Sequence, residues 1–257
     1  MTMPQTTTDD YVSKTYQSPV AVKRWLHQKR FTDALRLLQL KPGETVLDYG
    51  TGDGHFLEVA ARQHDAALLF GYEPAEELFV QAKKKLDQTG VTVANELAKL
   101  GRKQFDKIVS MEVCEHLPEK ELEQLLATIP DYLAPGGTFL VSVPIESGLP
   151  AMAKNAFRYL KYRNRGYDRL TWPIYLRTIM GRPIPRSDEG LSGLRYMHSH
   201  IGFDFRDFER RLAQRFVIRQ RYCSPANMLG SGLNNTVYYV CGDANRRSRV
   251  GLKSSSG

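Results

Sequence analysis

The chain has 257 residues, a formal net charge of +8 and an ordinary apolar fraction of 42%. That length suits one large α/β domain with an insertion, and no stretch approaches the roughly 20 apolar residues of a membrane span. Three cysteines, Cys114, Cys223 and Cys241, make no closed disulfide framework and show no metal-ligand spacing, so reduced, buried thiols are expected.

Residues 1–10 are polar and carry no hydrophobic signal core, which predicts a disordered arm in a cytoplasmic protein. Residues 11–244 read as the folded domain, and 245–257 as a disordered tail. Ser18-Pro19 is a plausible start for a helix whose apolar positions include Val22, Trp25, Leu26, Leu35 and Leu38. Pro42-Gly43 closes that region. From there strands and helices alternate: strands at 46–49, 67–72, 91–94, 107–111 and 138–143, and helices at 55–63, 75–88 and 122–133. This rhythm predicts a parallel sheet with helices on both faces. After Pro144 it breaks for about fifty residues with no clear strand, the span of a cap insertion at about 145–200. A helix at 205–214 and strands near 216–221 and 236–241 restore it, and the turn-rich link between those strands suits a hairpin.

The nonapeptide Val46-Leu47-Asp48-Tyr49-Gly50-Thr51-Gly52-Asp53-Gly54 carries the most chemistry. A buried strand ends in an acid, three glycines make a tight turn, and Phe56 opens an apolar helix. Glycine permits sharp bends and close approach of a ligand, and a helix start offers free N–H groups. The spacing is G-x-G-x-G, not the G-x-G-x-x-G of dinucleotide sites. A carboxylate at Asp48 repels pyrophosphate and suits an ammonium. The stretch resembles motif I of class I S-adenosylmethionine-dependent methyltransferases.

That resemblance implies a Rossmann-like, doubly wound, seven-stranded sheet, mostly parallel with a C-terminal antiparallel hairpin. It also implies S-adenosylmethionine as cofactor, bound by Asp48, Tyr49, Gly50, Thr51, Gly52, Gly54 and Phe56. Glu73, ending strand two about 20 residues past the turn, matches the acid for ribose hydroxyls, with Pro74 beside it. Asn95 and Glu96 stand where such enzymes contact adenine. Phe105 to Glu112 resembles the strand-four motif, with Met111 at the cleft, and Ala134-Pro135-Gly136-Gly137 resembles the turn before strand five.

Glu112-Val113-Cys114-Glu115-His116 resembles the E-x-x-E-H segment of ubiquinone-pathway O-methyltransferases and small-RNA 2′-O-methyltransferases. Two roles follow. Glu112, Glu115 and His116, with His200 first and His198 in reserve, could hold Mg, Mn or Zn; the spacing brings them together if a helical turn begins at Glu112. Alternatively His116 serves as general base without metal, with Glu112 beside it.

The positive charge is local. Residues 151–220 hold 15 Lys or Arg and 6 Asp or Glu. Phe157, Tyr159, Tyr162, Tyr167, Trp172 and Tyr175 interleave with Arg158, Arg163, Arg165, Arg169 and their neighbours. This segment suits an anionic substrate, an anionic membrane surface or, least, nucleic acid, because no RNA-binding module accompanies it; a solvated cap is the plain alternative. The combined reading is O-methylation of a hydroxyl on a small-molecule, glycan or lipid-linked acceptor. The alternatives are a metal-dependent RNA ribose 2′-O-methyltransferase and a catalytically silent cofactor-binding scaffold.

Overall fold

The computed structural model describes residues 21–64, 67–102, 104–146, 177, 189–191, 194–196 and 202–243. The expectations for residues 1–10, for 245–257, for His198 and His200, and for almost all of the aromatic and arginine-rich cap fall outside them.

In chain order the elements are α1 (Ala21–Leu38), β1 (Thr45–Tyr49), α2 (His55–Gln63), β2 (Leu68–Tyr72), α3 (Glu76–Leu86), β3 (Thr92–Ala94) and β4 (Phe105–Met111). There follow α4 (Glu119–Tyr132), β5 (Leu133–Pro144), β6 (Glu189–Leu191), β7 (Leu194–Tyr196), α5 (Phe205–Arg215), β8 (Phe216–Ser224) and β9 (Thr236–Asp243). The main sheet has seven strands in the order β3-β2-β1-β4-β5-β9-β8. The first five are parallel, and β9 runs antiparallel to both β5 and β8. The expected architecture is therefore present. Between β1 and β4 the strand order reverses, and ligands of open α/β sheets bind beyond the carboxyl ends at such a point.

Successive side chains on a strand face opposite sides, and the core divides accordingly. Leu47, Ile108, Phe139, Val141 and Tyr239 point to the face covered by α4 and α5. Val46, Val109, Leu140 and Tyr238 point to the face covered by α1, α2 and α3. Strands buried on both faces show an unbroken apolar run, which is why they were legible as strands. All three cysteines are free and buried.

Two details differ from the sequence reading. The Pro135-Gly136-Gly137 turn does not precede β5 but lies inside it, as an irregularity: Phe105 pairs with Leu133, the register shifts, and Lys107 pairs with Thr138. The stretch after Pro144, expected to lack strands, contains the short antiparallel pair β6–β7. Three-residue strands are too short to register as a pattern.

Helix α1 is tied to the C-terminal hairpin by a buried acid. Asp33 is 1% exposed; it accepts hydrogen bonds from Ser224 Oγ (2.7 Å) and Tyr222 OH (3.4 Å) and pairs with Lys29 (2.8 Å). The Tyr238 hydroxyl adds a hydrogen bond to the carbonyl of Arg30. Truncating Asp33 strands two buried hydroxyls, so Asp33→Ala is expected to cost about 2 kcal/mol or more of unfolding free energy. Urea denaturation of the variant against the parent checks this.

Candidate active site

The glycine turn leaves β1 and is pinned to β2. The N–H groups of Gly50 and Thr51 donate to the carbonyl of Tyr72 at 2.8 and 3.0 Å. Gly50, Gly52 and Gly54 all have positive φ, at 82°, 58° and 81°. At Gly50 the reason is also steric: a Cβ there would lie 2.6 Å from Cγ2 of Val113. The turn after β1 and the segment after β4 are thus in direct contact. At Gly52 a Cβ would meet nothing within 4 Å, so this face of the turn opens to the cleft.

Two carboxylates flank the turn. Asp48 is buried and accepts a hydrogen bond from Thr51 Oγ1 at 2.7 Å. Burial pushes its pKa up to about 7; the Thr51 hydroxyl opposes this, and the nearby Glu73 and Asp53 add to it. Glu73, also buried, accepts from Gly52 N–H (2.8 Å) with one oxygen and from Ala75 N–H (2.9 Å) with the other. Its pKa is raised by burial, and those two hydrogen bonds hold it down in part. The donor set fits S-adenosylmethionine: Asp48 can meet an ammonium, Glu73 a ribose diol, and the open face of Gly52 leaves room for the chain between them.

The remaining predicted cofactor residues divide. Tyr49 and Thr51 are at the carboxyl end of β1, and the Tyr49 ring packs edge-on against Tyr72 with centroids 4.8 Å apart. Met111 is partly buried at the end of β4. Pro74 is exposed. Phe56 turns instead into the core against Phe31 and is 3% exposed. Asn95 donates to Glu76 at 3.2 Å, while Glu96 pairs with Lys99 at 2.6 Å and is well exposed. Of the two, Asn95 is the less exposed.

After β4 the chain turns abruptly. Glu112 has φ 56°, unusual for a residue with a side chain, and a short 3₁₀ turn follows at Cys114–His116. Glu112 Oε2 lies 3.3 Å from Nη1 of Arg30 on α1. Glu115 is fully buried, and His116 Nε2 lies 4.0 Å from Glu115 Oε1. Burial and the neighbouring Glu112 hold the Glu115 carboxyl well above its ordinary pKa; Arg30 opposes the shift and Glu146 adds to it. Burial thus favours the neutral form of the Glu115 carboxyl.

The metal expectation finds no support among the described residues. The helical turn starts two residues later than the ligand hypothesis requires, at Cys114 and not at Glu112. Glu112 is paired to a guanidinium, and Glu115 is sequestered in the interior. Among the described residues no group of three or more His, Cys, Asp or Glu is placed to hold a metal ion. His200, the fourth expected ligand, lies outside the described residues, and no step below passes through a metal ion. Arg30 and Glu146 are the residues that sequence reasoning missed. Arg30 lies on a distant helix and Glu146 just past β5, with no local motif to mark either.

Comparison with known proteins agrees with this geometry. The family model for a methyltransferase domain matches residues 22–178. The chain is 33% identical over 104 residues to cyclopropane-fatty-acyl-phospholipid synthase of Escherichia coli K12, covering 40% of this chain. It is 31% identical over 101 residues to a probable fatty acid methyltransferase of Pseudomonas putida, covering 37% of this chain. These alignments span about a quarter of each relative, 27% and 25%. Among solved structures, magnesium protoporphyrin IX methyltransferase of Synechocystis PCC 6803, with S-adenosylhomocysteine bound, superposes with a TM-score of 0.57. That match has 16% identity and covers 92% of this chain and 94% of that one.

Two outcomes test the cofactor site. Only ionised Asp48 attracts an ammonium, so affinity for S-adenosylhomocysteine should fall as pH drops through about 7. Titration calorimetry between pH 8 and pH 6 should show a loss of about tenfold, flattened in Asp48→Asn. Gly52→Val should abolish binding while the circular dichroism spectrum stays that of the parent, because its side chain enters the open face of the turn.

Proposed function

We propose that this chain, which belongs to the methyltransferase-domain family and is an S-adenosylmethionine-dependent methyltransferase, acts on a lipid or lipid-linked acceptor, with His116 as general base for a hydroxyl. The contact of Gly50 with Val113 carries the reading: it sets the Glu112-to-His116 segment directly against the cofactor turn. When bound, the cofactor supplies a methyl group on an electrophilic sulfonium. His116 then has a definite task. An alcohol is a weak nucleophile near neutral pH, and a positioned imidazole takes its proton as the oxygen–methyl bond forms and the sulfur–methyl bond breaks. Glu115, buried and 4.0 Å away, positions the ring. Arg30 holds Glu112 at the edge of the site and keeps its charge away from the acceptor oxygen.

The lipid class is supported by the two bacterial relatives, whose names specify fatty-acyl phospholipid and fatty acid chemistry. They also support a second reading, transfer to carbon of an acyl chain, which differs in the bond formed. Total lipid, soluble metabolites and RNA, each incubated with methyl-labelled cofactor, separate these. Label in lipid as a methyl on oxygen is the expected product, and NMR of the purified product distinguishes it from a methyl branch or ring on carbon. Label confined to RNA or to water-soluble material sinks the lipid assignment. His116→Ala should lower turnover by about 10²–10⁴ while S-adenosylhomocysteine binding persists. Parent-like turnover in that variant rules His116 out as the base.

A further inference from the structure

The hairpin that completes the sheet projects beyond the edge where the candidate site lies. β9 is antiparallel to β5, with Thr236 opposite Pro144, and β8 ends at Ser224 opposite Thr236. The connection 225–235 therefore emerges beside the carboxyl ends of β1, β4 and β5. It is internally braced. Asn234 is completely buried; its side chain accepts from Ala226 N–H (2.7 Å) and donates to the carbonyls of Ala226 (2.8 Å) and Gly230 (2.6 Å). Asn227 Oδ1 accepts from Cys223 N–H at 2.8 Å. Asn235 joins the loop to β5 through Ile145 N–H at 2.7 Å.

Two of its polar side chains, Asn227 and Asn234, are used for bracing, and its large apolar ones face water. Met228 is 100% exposed, Leu229 54% and Leu233 47%. A braced loop that presents its apolar residues outward inverts the usual order, in which turns expose polar groups.

A second apolar group stands on the same side. Arg30 and Asp33 of α1 meet Glu112 and Ser224, both at the carboxyl edge. The C-terminal end of α1 runs back to feed β1, so the helix N-terminus extends outward past that edge. Trp25, 50% exposed, lies roughly 7 Å further along the helix axis than Arg30, at 1.5 Å per residue. The strongly basic tract 151–220 follows β5, whose end is also on this edge.

We propose that Met228, Leu229, Leu233 and Trp25 form a rim that inserts into the interface of an anionic lipid bilayer, bringing the acceptor to the cofactor cleft. A bilayer suits the rim better than a protein partner does. The rim residues are large, apolar and exposed, Trp favours the headgroup level, and the chain carries a net charge of +8. The proposal rests on the lipid-acceptor reading and places its point of entry.

The full-length chain is sedimented with vesicles of phosphatidylcholine alone or with about one third phosphatidylglycerol. Binding is expected to the anionic vesicles and to weaken with salt. The triple variant Met228→Ser, Leu229→Ser, Leu233→Ser should bind about tenfold more weakly, with melting temperature and S-adenosylhomocysteine affinity unchanged. In a Trp172→Phe background, Trp25 becomes the sole tryptophan, and its emission should shift to the blue on adding anionic vesicles. Turnover of vesicle-borne lipid should fall in the triple variant, while turnover of detergent-dispersed lipid stays at the parent level. Parent-like vesicle binding by the triple variant, or no spectral shift at Trp25, overturns the rim. In that event label in detergent-dispersed lipid still upholds the acceptor class, and its absence alone removes that class.

Discussion

Everything in the candidate site depends on a carboxylate held where water is scarce. Asp48 ends a strand buried on both faces, and its burial raises its pKa to about 7. A single threonine hydroxyl stabilises the charge from within the protein. The rest of the demand for a positive partner is left for a ligand, because a buried charge is costly until it is paired. Glu73 repeats the arrangement one strand over, with backbone N–H groups in place of the hydroxyl. Two acids facing one glycine turn disfavour a phosphate there and suit a zwitterionic nucleoside. The specificity of the site is thus electrostatic first, and the glycines make the space for it.

Glu112 and Glu115 show how position within one turn separates two like residues. Both follow β4 within four residues. Glu112 takes a positive φ and meets Arg30, so its charge is balanced by an ion pair. Glu115 enters the 3₁₀ turn and loses contact with solvent, which pushes its pKa up. One acid is held by a guanidinium, and the other is buried beside an imidazole. A buried acid beside an imidazole is common where proton transfer is performed.

The order of strands, the glycine turn and the acids Asp48 and Glu73 were legible in the sequence because each is a local pattern. Val46, Leu47, Ile108 and Val109 mark buried strands by composition alone, and the alternating glycines mark the turn. What could not be read depends on contacts between remote parts of the chain. The pairing of Glu112 with Arg30 is such a contact, and no periodicity announces a partner on another helix. Phe56 was placed at the cofactor from its position in the motif, yet helix packing turned it to Phe31. In Asn227-Met228-Leu229 the sequence shows a turn but not which side chains it exposes, because that depends on Asn234 folding inward.

The tether between α1 and the hairpin also bears on how the molecule comes into being. α1 is the first described element to leave the ribosome, and Ser224 and Tyr238, which hold Asp33 and Arg30, are among the last. Until those strands exist, Asp33 and the Arg30 carbonyl lack these hydroxyl partners. The tether therefore forms only once β8 and β9 exist, through contacts of long sequence separation of the kind that slows folding. Such an order leaves the helix that carries Arg30 without its hairpin tether until the last two strands of the sheet are made.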